Sequence, residues 1–280
     1  MKLLNKLKEI QENGKALIAA NFYNLETCKA IAQASAETGN PVILQVTPAS
    51  IDYMGLKTTS AVARTVSAQY RIQSWLHLDH CSDLILIQRC LDEGFDSIMF
   101  DASDKSIEEN IALTRKAVKI AEPYNVNVEA ELGYVPKPGL EIDRSRFTEP
   151  SEAKLFVDET GVSSLAVAVG SKHGFYSGKP ELDIQRITEI KELTYALLVL
   201  HGASGIPDDQ LQEAAGAGIS KVNVATDTKN LFMKSVKEIL LNSDEIDLRN
   251  VFPSAIETVK DMIVHKMKIL SGTHKKSISL

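Results

Sequence analysis

The chain has 280 residues, 44% hydrophobic and 24% charged, with a formal charge of −6. That length suits one α/β barrel as well as two smaller domains, and the acidic balance argues against a nucleic-acid partner. No run approaches the ~18 apolar residues of a membrane span, so neither a membrane nor a nucleic acid is expected as a partner.

The N-terminal "MKLLNKLKEIQENGK" is charged and amphipathic, and reads as a first helix rather than a signal peptide. Short apolar runs then alternate with helical patterns. The expected strands are 16–22, 41–47, 74–80, 95–103, 126–133, 163–170, 195–202 and 220–226. Between them lie helical segments such as "LETCKAIAQASAETG", "SIEENIALTRKAVKIAE" and "DDQLQEAAGAG", and Gly39, Gly94, Gly161 and Gly218 fall where helices should end. "PSAIETVKDMIVHKMKILSG" reads as a closing helix.

Nearly continuous apolar strands separated by helices imply a parallel sheet buried on both faces, and eight units imply a closed (β/α)8 TIM barrel over residues 1–280. A doubly wound open sheet is the alternative, but no GxGxxG follows the first strand. One connection, "GYVPKPGLEIDRSRFTEPSEA", runs about twenty residues without pattern and suggests a lid. The three cysteines, Cys28, Cys81 and Cys90, have no CxxC spacing, which fits a reducing cytoplasm.

In such a barrel the C-terminal strand ends carry the chemistry. They present Asp79 and His80, Asp101, Glu129 and Glu131, Lys172 and His173, His201, and finally Asn223, Thr226 and Asp227. His80, His173 and His201 are three of only six histidines, and three neutral imidazoles around an open position make a catalytic zinc site. Strand parity puts His77 and Asp79 on one face and His80 on the other. The chain must therefore leave strand geometry after Asp79 if both Asp79 and His80 serve the site, and His77 is expected to be structural. "GSKHGFYSG" and "HGASG" are glycine-rich turns of the kind that bring backbone N–H groups close to a phosphate, and Ser204 adds a hydroxyl.

"HLDH", "VEAELG", "SLAVAVGSKHGFY", "LVLHGASG" and "KVNVAT" together resemble class II, metal-dependent ketose-bisphosphate aldolases, in order along nearly the whole chain. The resemblance is nearest to the tagatose-bisphosphate branch, beside the fructose-bisphosphate one. It implies a lyase of carbohydrate metabolism and glycolysis that cleaves a ketose 1,6-bisphosphate to dihydroxyacetone phosphate and glyceraldehyde 3-phosphate through a zinc-stabilised enediolate. It implies Zn²⁺ on His80, His173 and His201, and Asp79 as acid/base. Asp101 and Glu131 fall where a second or displaced metal can sit, and Gly170 where some members bind a monovalent cation. The dihydroxyacetone-phosphate half would lie on Gly174, Gly202, Ala203, Ser204, Asn223, Val224, Ala225 and Thr226. Homodimers or homotetramers are the implied assemblies.

Two departures stand out. The family usually has paired glycines and an acid after "ELG", where this chain has "ELGYVPKPGLEID"; Glu141 or Asp143 would serve at a shifted place, with Glu141 preferred. Ala225 stands where the fructose branch often has aspartate, which leans toward tagatose or a related sugar phosphate such as a deoxy-keto-gluconate phosphate. The competing readings are a Schiff-base aldolase on Lys172, which has no use for three histidines, and a metal-dependent hydrolase, which wants a histidine pair where this chain has "NFYN". A third is a weakly active or non-catalytic metal-binding barrel that serves an accessory partner subunit.

Overall fold

The computed structural model describes residues 1–176 and 178–272. Ser177, within the glycine-rich run after the sixth strand, and residues 273–280 lie outside the described residues. Eight parallel strands close into a barrel in sequence order, β1 (Leu17–Asn21), β2 (Val42–Val46), β3 (Ser74–Cys81), β4 (Ser97–Phe100), β5 (Asn127–Leu132), β6 (Ser164–Val167), β7 (Leu197–Leu200) and β8 (Ile219–Val224). All eight expected strands are present, and β8 pairs back onto β1 with Ala19 opposite Asn223. Several are shorter than the apolar runs that announced them. Ala168, Val169 and Ala203 stay buried after the ladder ends, so apolar character outlasts the strand.

The helices among the described residues are α1 (Leu3–Glu12), α2 (Leu25–Thr38), α3 (Pro48–Met54), α4 (Leu56–Tyr70), α5 (Leu84–Asp92), α6 (Ile107–Ala121), α7 (Pro150–Thr160), α8 (Ile184–Leu193), α9 (Asp208–Ala217), α10 (Thr226–Asn242) and α11 (Leu248–Leu270). The closing helix begins before the expected Pro253, which sits inside α11. Asn24 caps α2 by accepting from Thr27 N at 2.9 Å, which offsets one of the unpaired N–H groups of the first turn. Thr226 opens α10 without a side-chain cap from Ala225. Ser204 Oγ, arriving from the loop after β7, accepts from Asp227 N at 3.1 Å instead.

Alternation splits the strands into two cores. Outward residues such as Ile18, Leu44, Leu78, Phe100, Leu165, Leu200 and Val224 pack under the helices. Inside, the floor is apolar: Leu17, Ile43, Trp75 and Leu197 are plugged by Leu3 and Leu7 of α1. Above the floor, polar side chains fill much of the axis, beside the apolar trio Met99, Ala166 and Val199.

Candidate active site

At the end of β3 the backbone resolves the parity problem set by "HLDH". The β3–β4 register shifts between Leu78 and Cys81, and His80 adopts φ 49°, a left-handed conformation. Holding a non-glycine residue there costs on the order of 1–3 kcal/mol and persists where the surroundings enforce it. The kink turns His80 to the rim beside Asp79, while His77 stays buried at the barrel axis, as expected.

The three rim histidines meet. Their ring centroids are 5.0 Å apart for His80–His173, 4.6 Å for His80–His201 and 6.0 Å for His173–His201. One nitrogen of each lies within 4.8 Å of the others, and His80, Asp101 and Glu131 form a second such group. His80 Nδ1 lies 2.7 Å from Asp101 Oδ2, and His201 Nε2 lies 2.9 Å from Glu129 Oε1. Each carboxylate accepts from its imidazole, so His80 Nε2 and His201 Nδ1 face each other at 2.9 Å; His201 presents a lone pair there, and His80 presents a second once it gives up its extra proton. Two facing lone pairs fit a cation, and carboxylate-oriented histidines are the usual surroundings of a bound metal. Glu131 Oε2, buried with no hydrogen-bond partner, adds an unsatisfied acceptor 3.6 Å from His201 Nδ1. The donor set therefore fits a divalent metal.

The electrostatics set which proton a metal would displace. Burial alone would lower the His80 imidazole, but Asp79, Asp101 and Glu131 carry it up to about 10. Burial and the neighbouring His80 lower His173 to about 4, and burial takes His201 well below its ordinary value. Burial pushes Glu131 up to about 8, helped by Asp101. Asp101 itself stays well below the carboxylate range because His80 and Ser103 outweigh its burial.

Asp79 is 4% exposed and held on both oxygens. Asn21 Nδ2 donates to Oδ2 at 3.0 Å and Asn223 Nδ2 to Oδ1 at 3.3 Å, and Gln45 Nε2 is 2.6 Å from Asn21 Oδ1. Burial raises the Asp79 carboxyl, but His80, His201 and Lys221 outweigh it and leave it below its ordinary value. It is thus a fixed, ionised acceptor. Asn21 and Gln45 were missed from sequence, although both stand at strand ends and the same rule applied to β1 and β2 would have found them.

The expected phosphate residues gather at the neighbouring turns. Gly202, φ 66°, passes so close to the next turn that a Cβ would stand 2.3 Å from the Lys172 carbonyl oxygen. Gly174 faces Pro138, and Gly170 faces the Glu181 carbonyl. Ala203 N donates to Asn223 O at 3.3 Å, which ties the turn to β8. Ala225 and Thr226 sit at the N-terminus of α10, where backbone N–H groups and the helix dipole favour an anion. Val224 packs its side chain in the outer core and offers the site only its backbone. Tyr176, also missed, locks the region: its hydroxyl accepts from Lys172 N and donates to Gly202 O, both at 2.9 Å.

Residues 133–149 arch over this rim. Thr148 pins the base by accepting from Ala168 N at 2.8 Å, and His173 N donates to Pro136 O at 2.8 Å. Lys172 Nζ reaches Leu140 O at 3.4 Å and stands 3.8 Å from Glu141 Oε1. The Glu141 side chain is 80% exposed, so it sits at the edge of the site rather than among the histidines. A cleft of about 530 Å³ runs between His80, Asp101, Glu131, His173 and the loop residues Tyr134 and Lys137.

Residues 1–275 match the family described as "Fructose-bisphosphate aldolase class-II". Among solved structures, the YdjI aldolase from Escherichia coli K12 is 29% identical with a TM-score of 0.87, covering 98% of this chain and 99% of its own. A putative fructose-1,6-bisphosphate aldolase from Coccidioides immitis is 29% identical, TM-score 0.85, over 97% of this chain and 96% of its own. The fructose-bisphosphate aldolase of Campylobacter jejuni shares the fold at 21% identity, TM-score 0.81, over 95% of this chain and 93% of its own. Among the described residues no helix is long and apolar enough to cross a membrane.

Proposed function

The chain belongs to the class-II fructose-bisphosphate aldolase family, and from that premise we propose that it is a zinc-dependent lyase cleaving tagatose 1,6-bisphosphate or fructose 1,6-bisphosphate to dihydroxyacetone phosphate and glyceraldehyde 3-phosphate. The observation that carries this reading is the meeting of His80, His173 and His201 beside a fixed, ionised Asp79. Those histidines hold the zinc. When bound, the ion supplies an electrophile for the electron pair that stays on the dihydroxyacetone-phosphate half as the C3–C4 bond breaks.

The other work belongs to side chains. Asp79 accepts the proton of the C4 hydroxyl as that carbon becomes the aldehyde, and returns it in the condensation direction. Asn21 and Asn223 hold the carboxylate in place, so the proton acceptor is pre-aligned. The turns at Gly174 and Gly202 to Ser204, with Asn223 and the α10 N-terminus at Ala225 and Thr226, seat the phosphate and spend binding energy on orientation. Glu141, carried by the loop, gives the proton that the dihydroxyacetone-phosphate carbon needs. Asp101 and Glu131 offer a second position for the metal, and Gly170 a place for a monovalent cation. The reading includes a cytoplasmic homodimer or homotetramer, to be tested by light scattering on the purified chain.

A second reading, turnover of another phosphorylated ketose or an accessory, non-catalytic role, is favoured by the exposed position of Glu141 and by its substituted loop. One assay separates these: release of dihydroxyacetone phosphate from both bisphosphates, with chelator and after added zinc. Zinc-restorable cleavage supports the proposal, and the rate ratio names the branch. Zinc binding without cleavage of either sugar sinks it in favour of the second reading.

A further inference from the structure

Beneath the rim, the barrel axis holds a series of buried polar groups. Lys221 on β8 is 1% exposed, and its ammonium lies 2.7 Å from Glu129 Oε2 and 3.1 Å from His77 Nε2. An ammonium only donates, so His77 presents Nε2 as a lone pair and carries its proton on Nδ1. That nitrogen lies 2.8 Å from Ser97 Oγ, which also accepts from Asn127 Nδ2 at 3.1 Å. One hydroxyl has two lone pairs for these two donors. The other Glu129 oxygen, Oε1, lies 2.9 Å from His201 Nε2, and a carboxylate paired with an ammonium only accepts. Asn223 Nδ2 approaches the same His201 nitrogen at 3.1 Å, but the carboxylate is the nearer and charged partner, so the proton of His201 sits on Nε2 and the lone pair on Nδ1 faces the site.

A buried ion pair is weak evidence for stability, because apolar side chains of the same shape often serve the fold as well. Its position one bond beneath a rim histidine suggests another use. We propose that Lys221 and Glu129 are positioning residues for the metal: Lys221 fixes the Glu129 carboxylate, Glu129 holds His201 in its Nε2–H tautomer, and His77 completes the ammonium's set of acceptors. The inference rests on the metal reading of the three histidines. It gives His77 a defined task, as the acceptor without which Lys221 would lack a partner on that side.

The test pairs two measurements on the full chain. Long-range ¹H–¹⁵N spectra of the metal-stripped wild type read the His201 tautomer directly. The double variant Lys221→Met/Glu129→Gln removes both charges while keeping both shapes, and its zinc affinity is measured by competition with a chromogenic chelator. A glutamine amide can accept from or donate to His201, so the tautomer is no longer imposed. We expect Nε2–H in the wild type and zinc affinity lower by about 10- to 100-fold in the folded double variant, the range for lost support of a metal ligand. An Nδ1–H tautomer in the wild type overturns the proposal, and it decides alone if the variant does not fold. Unchanged zinc affinity in a folded variant also overturns it while leaving the metal reading intact. A wild type that binds no zinc removes both.

Discussion

Below His201, Lys221, Glu129, His77, Ser97 and Asn127 form a fully buried polar series with every hydrogen bond at 3.1 Å or less. Above it, residues 133–149 are held at their base through Thr148 but meet the rim further out only through the Pro136 and Leu140 carbonyls and the long Lys172–Glu141 pair, and residues 137–141 of that loop are exposed. The two regions flank the same cleft and do opposite work. The interior leaves its side chains no second arrangement, so it can fix a tautomer or a carboxylate. The loop can be rewritten without disturbing the barrel, so it is where substrate choice can change. If this contrast holds, substitutions below the rim should damage chemistry or metal binding severely, and substitutions in the loop's ties should act mildly.

The largest effect is expected from Asp79→Asn, which keeps the shape and the Asn223 contact but removes the proton acceptor. Turnover should fall about 10³- to 10⁴-fold while the chain still binds zinc, as measured by steady-state kinetics beside chelator competition. Loss of zinc binding in the same variant would show that Asp79 holds the ligands rather than the proton. Gly202→Ala comes next. Its Cβ would stand 2.3 Å from the Lys172 carbonyl, a backbone atom that cannot swing aside, at a φ of 66°. The 172–174 segment must shift with it, and a displacement of roughly 1 Å at reacting groups can cost about 10²-fold in kcat/KM. A normal variant would mean that this turn does not position His173.

Zinc affinity should fall only about tenfold per pH unit between pH 7 and pH 5. His80, carried up to about 10, is protonated throughout that window without metal, while His173, at about 4, and His201 are already neutral. Binding therefore displaces one imidazole proton, and affinity rises with pH. Three histidines of ordinary basicity would lose affinity ever more steeply below about pH 6.5. Glu131, pushed up to about 8, adds a second proton to the count only where it joins the ligands. Titration of proton release in two buffers separates one from two.

The same contrast governs what could be read from sequence. Apolar alternation showed eight strands because each buries both faces, and parity in "HLDH" required the break at His80 that the register shift supplies. His77 could be placed inside but not given a partner, since Lys221 stands 144 residues away. Strand ends ran long where Ala168 and Val169 remain buried past the ladder. α11 was begun too late because Pro253 looks like a helix start. In the loop the limit was different: spacing alone could not say which acid faces the site, because the contact beside Glu141 comes from Lys172 in the loop after β6.

Lys172→Met should have the smallest effect, and its size also decides between two chemistries. Lys172 is 4% exposed, its backbone N–H is fixed by Tyr176, and its ammonium ties the loop at Leu140 O. Methionine keeps the packing and loses one long hydrogen bond and a screened ion pair at 3.8 Å to an exposed carboxylate. Such pairs contribute little, so kcat/KM should fall by about threefold to tenfold. Amide exchange should quicken at residues 139–142 and stay unchanged along β5 and β8. Zinc affinity should match the wild type, because the Pro136–His173 bond and the series below His201 do not involve the ammonium. A lysine that formed a Schiff base with the ketose would behave differently, since its loss would abolish turnover and leave added zinc without effect. A mild loss accompanied by faster exchange confined to the loop places Lys172 among the loop's ties and leaves the chemistry to the rigid groups beneath.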